Sequence, residues 1–202
     1  MDEAAEDSAM VDYLVLVGAD PIEAKDRVNS MRGRRSTTFM EVYGGGAINE
    51  CANRARRDIG LKGIGALDIR TLKPDGSSWD FTKRADRRLA SELIDSQNPD
   101  WLIGSPPCTA FSIWNVVMNC PKMDKAKVQA AIAEGKMNLN SVAKLYRKKM
   151  AKGKYFLHEH PATAISWKED CISSIANDPT VHTVVAHQCM YGLTSPVTRK
   201  GK

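Results

Sequence analysis

The sequence predicts an α/β fold, a mostly parallel sheet with helices on both faces, and three observations predict it. From Thr37 onward, short β-rich runs alternate with amphipathic helical stretches. Runs such as "TTFMEVY" are mostly apolar, as central parallel strands are. The most unusual segments, residues 44–46, 104–108 and 158–161, each fall where such a run ends. Open parallel sheets hold their ligands outside those carboxyl ends.

Taken in order, residues 1–10 ("MDEAAEDSAM") are acidic and polar and are expected to be disordered. "YLVLVG" (13–18) reads as a strand. "DPIEAKDRVNSMR" (20–32) reads as a helix, with Asp20 as N-cap and Pro21 in the first turn. Residues 33–36 form a basic loop, so 1–36 make an N-terminal appendage and 37–202 the main domain. In that domain "TTFMEVY" is the first strand, broken by Gly44, Gly45 and Gly46. "AINECANRARRDIG" is a helix with Gly60 as its stop. "KGIGALDI" is a strand ending at Asp68, and "WDF" a short strand. "TKRADRRLASELIDSQ" (82–97) is a helix capped by Thr82, with Leu89, Leu93 and Ile94 as its apolar stripe. "DWLIG" is the next strand. A polar helix covers 124–151 with a break near Gly135. "YFLHEHP" is a strand, "SWKEDCISSIAN" a short helix and "HTVVAHQ" (182–187 plus Gln188) a last strand.

The bulk properties exclude several classes. The chain has 202 residues and is 43% hydrophobic, enough for a full core. It contains no apolar run of about 18 residues, and its N-terminus resembles neither a signal nor a transit peptide. A soluble, intracellular protein is expected. Five cysteines in irregular spacing, with no Cys-x-x-Cys pair, argue against a disulfide framework or a four-cysteine zinc site. The net charge of +5 is clumped in "RGRR" (32–35), "RARR" (54–57), "KRADRR" (83–88) and "YRKKMAKGK" (146–154). Such clusters are either solvated helix faces or a phosphate-tracking surface for nucleic acid.

Strand, three glycines, helix is a loop where backbone approaches a ligand closely. It matches neither the dinucleotide fingerprint nor a P-loop. An acid at the end of the following strand, Asp68, suits ribose hydroxyls, and Asp80 suits an adenine amino group. Together these point to an adenosine-bearing cofactor without choosing among them. In "DWLIGSPPCTAFSIWN" (100–115), two prolines remove two backbone donors and fix two φ angles. A stiff loop there can hold a side chain at a set angle, and the side chain it holds is the thiol of Cys108, a nucleophile when ionised.

"GSPPCTAFS" resembles the nucleophile loop of the DNA cytosine-5 methyltransferases, written G-[GS]-P-P-C-Q-x-F-S, with Thr109 in the glutamine position. "FMEVYGGG" is similar to that family's first cofactor loop. Asp68 and Asp80 fall at its acidic positions, and "HEHP" takes the place of its Glu-Asn-Val tripeptide. The resemblance spans roughly residues 37–190. It implies a Rossmann-like methyltransferase fold and S-adenosyl-L-methionine as cofactor, bound by Glu41, Tyr43, Gly44, Gly45, Gly46, Asp68 and Asp80. It also implies nucleic acid, DNA in the first instance, as partner. Cys108 would attack carbon 6 of cytosine while Glu159 shares a proton at ring nitrogen 3, so that carbon 5 accepts the methyl. With Lys202 as last residue, the resemblance implies a shortened family member whose large target-recognition region is missing from this chain, supplied by the N-terminal segment or absent altogether.

Other readings compete. His158, Glu159 and His160 beside Cys108 raise the question of zinc, but no second cysteine is spaced for it and no metal is expected. Methyltransferases acting on amino groups place a carboxylate or amide before a Pro-Pro-aromatic step. Here Ser105 precedes and Cys108 follows, which fits carbon methylation better. The alternative that stays open is a catalytically impaired module that binds S-adenosylmethionine or nucleic acid. Trp101, Trp114 and Trp167 read as core, although Trp114, after Cys108, is also placed to stack on a base.

Overall fold

The computed structural model describes residues 3–16, 18–31, 36–54, 60–187 and 190. It resolves into two compact units. The first runs up to Ser105 and takes in Lys148–His158, and the second comprises Pro106–Arg147 and the chain from Glu159 on.

The first unit carries a four-stranded, all-parallel sheet. Its strands are β1 (Thr37–Val42), β2 (Leu61–Leu67), β3 (Trp101–Gly104) and β4 (Tyr155–His158), in the order β2-β1-β3-β4. The chain moves outward from β1 to β2 and then crosses back to β3, so the order reverses beside β1. Right-handed crossovers in this order require the helix after β1 and the helix after β2 to lie on opposite faces. Those helices are α3 (Ala47–Arg54) and α4 (Arg84–Gln97), following α1 (Glu3–Leu16) and α2 (Pro21–Met31). The core of this unit is Phe39, Met40, Val42, Leu67, Ala90, Ile94 and Leu102, with Trp79 and Phe81 in the loop after β2. Strand β1 is buried along its last four residues, as a central parallel strand should be.

Asp100 sets the register where β3 begins. Its carboxylate accepts from the Thr38 backbone N–H at 2.9 Å and the Thr38 hydroxyl at 2.8 Å, and Lys154 Nζ donates to it at 3.1 Å. These bonds, the Thr38 N–H first, hold the Asp100 carboxyl down at about 2.

In the second unit, α5 (Lys125–Ala151) begins, crossing into the first unit for its last residues, and α6 (Asp170–Ala176) follows a short 3₁₀ turn at Ile165–Lys168. Phe111, Leu139, Val142, Ala143, Tyr146, Ile172 and Ile175 form its core.

Several expectations are corrected. Residues 3–10 are helical rather than disordered, and in place of the strand expected at 13–18, residues 13–16 are the end of α1. Ala and Glu upstream are strong helix formers, and they carry the β-rich "YLVL" (13–16) with them. The "WDF" segment contains no strand, only a bridge between Leu72 and Ser78 nearby. Thr82 does not cap α4. Lys83 is the N-cap, and the Thr82 hydroxyl donates to Asp80 instead. No break occurs at Gly135, and α5 runs through it. Residues 182–187 form no strand, and Val184 and Val185 are exposed. Asp20 does cap α2, its Oδ1 accepting from the N–H groups of Ile22 and Glu23. Arg32 to Arg35, Ala55 to Ile59, Gln188 and Cys189 lie outside the described residues. No helix among the described residues is long and apolar enough to cross a membrane.

Candidate functional site

The glycine loop sits at the carboxyl end of β1, where the strand order reverses, and leads into α3. Glu41, the second-last residue of β1, is fully buried. Its Oε1 accepts from the Asn49 N–H at 2.7 Å and from Asn49 Nδ2 at 2.6 Å, so a strand side chain satisfies the first turn of α3. Its Oε2 has no partner among the described residues. Gly44 leaves room for that oxygen: a Cβ there would stand 2.5 Å from it. Tyr43 has φ 61°, a left-handed conformation that costs a bulky residue strain, and such strain gathers at working sites. Its ring centroid lies 4.5 Å from that of Phe81, the residue after Asp80.

Asp68 lies one residue past the end of β2, which closes at Leu67, and it is not free. Its Oδ1 accepts both the Arg70 N–H and Arg70 Nε, each at 3.0 Å. The same guanidinium lies across Gly45, where any side chain would run into it. Asp80 is tied down as well, accepting from the N–H of Thr82 at 3.1 Å and from Lys83 Nζ at 3.2 Å. The Thr82 hydroxyl, followed by Lys83, holds its carboxyl below the ordinary range. The loop around it is fixed by buried Asp86, which accepts the Asp80 N–H at 2.8 Å and pairs with Lys73 at 3.2 Å. Thus Glu41, Tyr43, Gly44, Gly45, Gly46, Asp68 and Asp80 are gathered at one end of the sheet. Contacts within that unit link Glu41 to Gly44, Asp68 to Gly45 through Arg70, and Tyr43 to the Asp80 loop.

Cys108 and Glu159 belong together to the second unit. Each follows a strand of the sheet, and the last residues of those strands, Gly104 and His158, are register partners. Pro106 is buried, Cys108 half-buried and Glu159 exposed. After Cys108 the chain turns into a 3₁₀ helix (Thr109–Phe111), with the Phe111 N–H donating to the Cys108 carbonyl at 2.9 Å. Phe111 is buried against Gly135 of α5, where a Cβ would come within 2.8 Å of its ring. That contact is why a glycine stands inside a continuous helix.

His160 joins the two loops. Its Nε2 lies 2.9 Å from the Pro106 carbonyl and its Nδ1 lies 2.6 Å from the hydroxyl of fully buried Ser166. A carbonyl only accepts, so Nε2 carries the hydrogen. Burial holds the imidazole below its ordinary value, which leaves Nδ1 as the acceptor of the Ser166 proton.

No family model, curated protein or solved structure matches the chain.

The strand expected over "YFLHEHP" ends early: β4 closes at His158, so Glu159, His160 and Pro161 follow it as loop. Among the described residues no group of three or more His, Cys, Asp or Glu could hold a metal ion. The basic cluster at 146–154 is engaged internally. Lys148 and Lys152 bind Asp95 at 2.7 and 2.8 Å, Lys149 donates to the Pro99 carbonyl, and Lys154 pairs with Asp100. Arg147 holds Ser174 and the Cys171 carbonyl. In the 83–88 cluster, Lys83 pairs with Asp80, Arg88 with Glu92, and Arg87 donates to the carbonyls of Phe81 and Thr82. The 32–35 cluster and most of the 54–57 cluster lie outside the described residues. Among the tryptophans, Trp101 is stacked on Tyr155, whereas Trp114 is 77% exposed and free to meet a partner.

Sequence reasoning passed over Arg70 and the anchoring role of His160. The signal for Arg70 was its place two residues beyond a strand-end acid. For His160 it was its position beside Glu159, just past the end of a strand.

Proposed function

We propose that this chain transfers a methyl group from S-adenosylmethionine to carbon 5 of cytosine in nucleic acid, DNA in the first instance, through a covalent bond to Cys108. The observation that carries this reading is the 2.9 Å contact of His160 Nε2 with the Pro106 carbonyl, which ties the loop bearing Cys108 to the loop bearing Glu159.

The residues of the first unit fit an adenosine-bearing ligand. A buried acid with an unused oxygen, a glycine loop at a helix start, a strand-end acid and an aromatic pair lie at one end of the sheet. Glu41, Tyr43, Gly44, Gly45, Gly46, Asp68 and Asp80 would hold it, with Arg70 giving up its bond to Asp68. When bound, S-adenosylmethionine supplies an electrophilic methyl group. The chain's own work is on the base. The Cys108 sulfur adds to carbon 6, converting a poor carbon nucleophile into an enamine-like one. Glu159 shares a proton at ring nitrogen 3 as charge develops there. After carbon 5 is methylated, its proton passes to water and the sulfur–carbon 6 bond breaks with its electron pair going to sulfur, which returns the Cys108 thiolate and the methylated base. A cytosine inside a duplex must be flipped out to meet these groups, or be presented single-stranded.

Incubation with methyl-labelled S-adenosylmethionine and cytosine-bearing oligonucleotides tests the reading. Label is expected in 5-methylcytosine with the natural chain and absent with Cys108→Ser. Absence of label from DNA and RNA, single- and double-stranded, contradicts it. The exposure of Glu159 favours a second reading, the binding module without chemistry. Thermal stabilisation by S-adenosylmethionine with no methylated product supports that one.

A further inference from the structure

We propose that His160 is a positioning residue: acting through the Pro106 carbonyl, it fixes the Pro106-Pro107-Cys108 loop and the Glu159 backbone to a single buried anchor. The catalytic consequence rests on the methyl-transfer reading, whereas the anchoring does not.

The argument starts from what the prolines remove. Neither Pro106 nor Pro107 has an N–H, so two successive residues cannot donate to any neighbour. What is left to tether this stretch is its carbonyls, and the one at Pro106 accepts from His160. On the other side of Cys108, Phe111 is 1% exposed and held by Gly135 of α5. The His160 ring also lies beside that phenylalanine, with centroids 6.4 Å apart and planes tilted by 54°. Cys108 is therefore flanked by two fixed points, and His160 touches both. On its far side His160 meets Ser166 at 2.6 Å and the edge of Trp167 at 6.4 Å. Trp167 is in turn pinned by its Nε1 donating to the Pro161 carbonyl at 2.9 Å. The anchor thus lies within one compact unit, and Glu159 is joined to it by a single peptide bond.

The tautomer makes the anchor specific. Pro106 requires a donor at the outer ring position and Ser166 is met by an acceptor at the inner one. Glutamine reproduces the reach of Nε2 with an amide nitrogen, since the same number of bonds separates it from Cα. Asparagine stops one bond short.

Peptide-resolved mass spectrometry of iodoacetamide alkylation tests the proposal, with Cys120 and Cys171 of the same molecules as references. In His160→Asn the Cys108 rate should rise about fivefold against the references, the factor that one net hydrogen bond commands, and in His160→Gln it should stay within about twofold of the natural chain. Equal Cys108 rates in the asparagine, glutamine and natural chains overturn the proposal. So does a parallel rise at all three cysteines, because His160 would then support the whole unit and not this loop. A kinetic arm separates the two claims. If methyl transfer occurs, His160→Asn should lower kcat and leave KM for S-adenosylmethionine unchanged, and a shift confined to KM counts against positioning. If the natural chain transfers no methyl group yet keeps the alkylation contrast, the anchor stands and the methyl-transfer reading fails.

Discussion

At the scale of single residues, two neighbouring glycines make a sharp contrast. Gly44 faces the buried end of Glu41, a side chain pinned by Asn49 and fully enclosed, so it cannot give way. Gly45 faces Arg70, whose side chain is 72% exposed and can swing off. Gly44→Ala should therefore cost about 1–3 kcal/mol through overpacking. Gly45→Ala, at φ 64°, should cost about 1–2 kcal/mol through backbone strain alone. Urea denaturation of both variants measures this, and a Gly45 variant clearly less stable than the Gly44 one contradicts the account. Glu41→Ala should cost about 2–3 kcal/mol, because it leaves the Asn49 donors buried without a partner. The break after β1 at the three glycines and the acid after β2 were legible as features of strand ends. That Arg70 shares Asp68 was not, because its place two residues beyond the acid allows the guanidinium to fold back without requiring it.

At the scale of elements, Asp100 ties the start of β1 to the start of β3 through Thr38. Its folded value of about 2 lies below the ordinary 3.8, so its contribution is fully present above about pH 4 and is lost as pH falls towards 2. Asp100→Asn should lower stability at neutral pH by about 1–2 kcal/mol and flatten the acid limb of a denaturation series in that window. An unchanged acid limb would assign the loss to other groups. In α5, an alanine at an interior glycine ordinarily stabilises by about 1 kcal/mol. Gly135→Ala should do the reverse, because its methyl meets the buried Phe111 ring at 2.8 Å. A higher midpoint in thermal unfolding would refute that packing. The sequence read Gly135 as a helix break because local propensity weighs glycine without seeing the ring it accommodates. It read residues 13–18 as a strand for a similar reason, since the apolar run is β-rich and the helix formers that decide its state precede it.

For the whole molecule, the alternation of strand and helix was enough to indicate a parallel sheet, because each apolar run carries its own signal. The strand expected at 182–187 has the same local signal but pairs with no strand among the described residues, and pairing is a property of the partner as much as of the segment. Charge clumping was the least reliable guide. Lys148 and Lys152 converge on Asp95, so the 146–154 cluster is a fastening for α4 and α5 in the first unit. Lys148→Gln with Lys152→Gln should therefore leave the salt dependence of oligonucleotide binding unchanged. A fall in the slope of about two, at roughly 0.9 per phosphate contact, would return those lysines to the nucleic-acid surface. The functional claim rests on the loop motif around Cys108 and the chemistry it allows. Its most direct measurement is trapping on an oligonucleotide bearing 5-fluorocytosine in the presence of S-adenosylmethionine, where the fluorine at carbon 5 prevents release of the cysteine. A covalent adduct mapped to Cys108, greatly slowed in Glu159→Gln and absent in Cys108→Ser, is the predicted result. No adduct with the natural chain, or one that persists in Cys108→Ser, would contradict it.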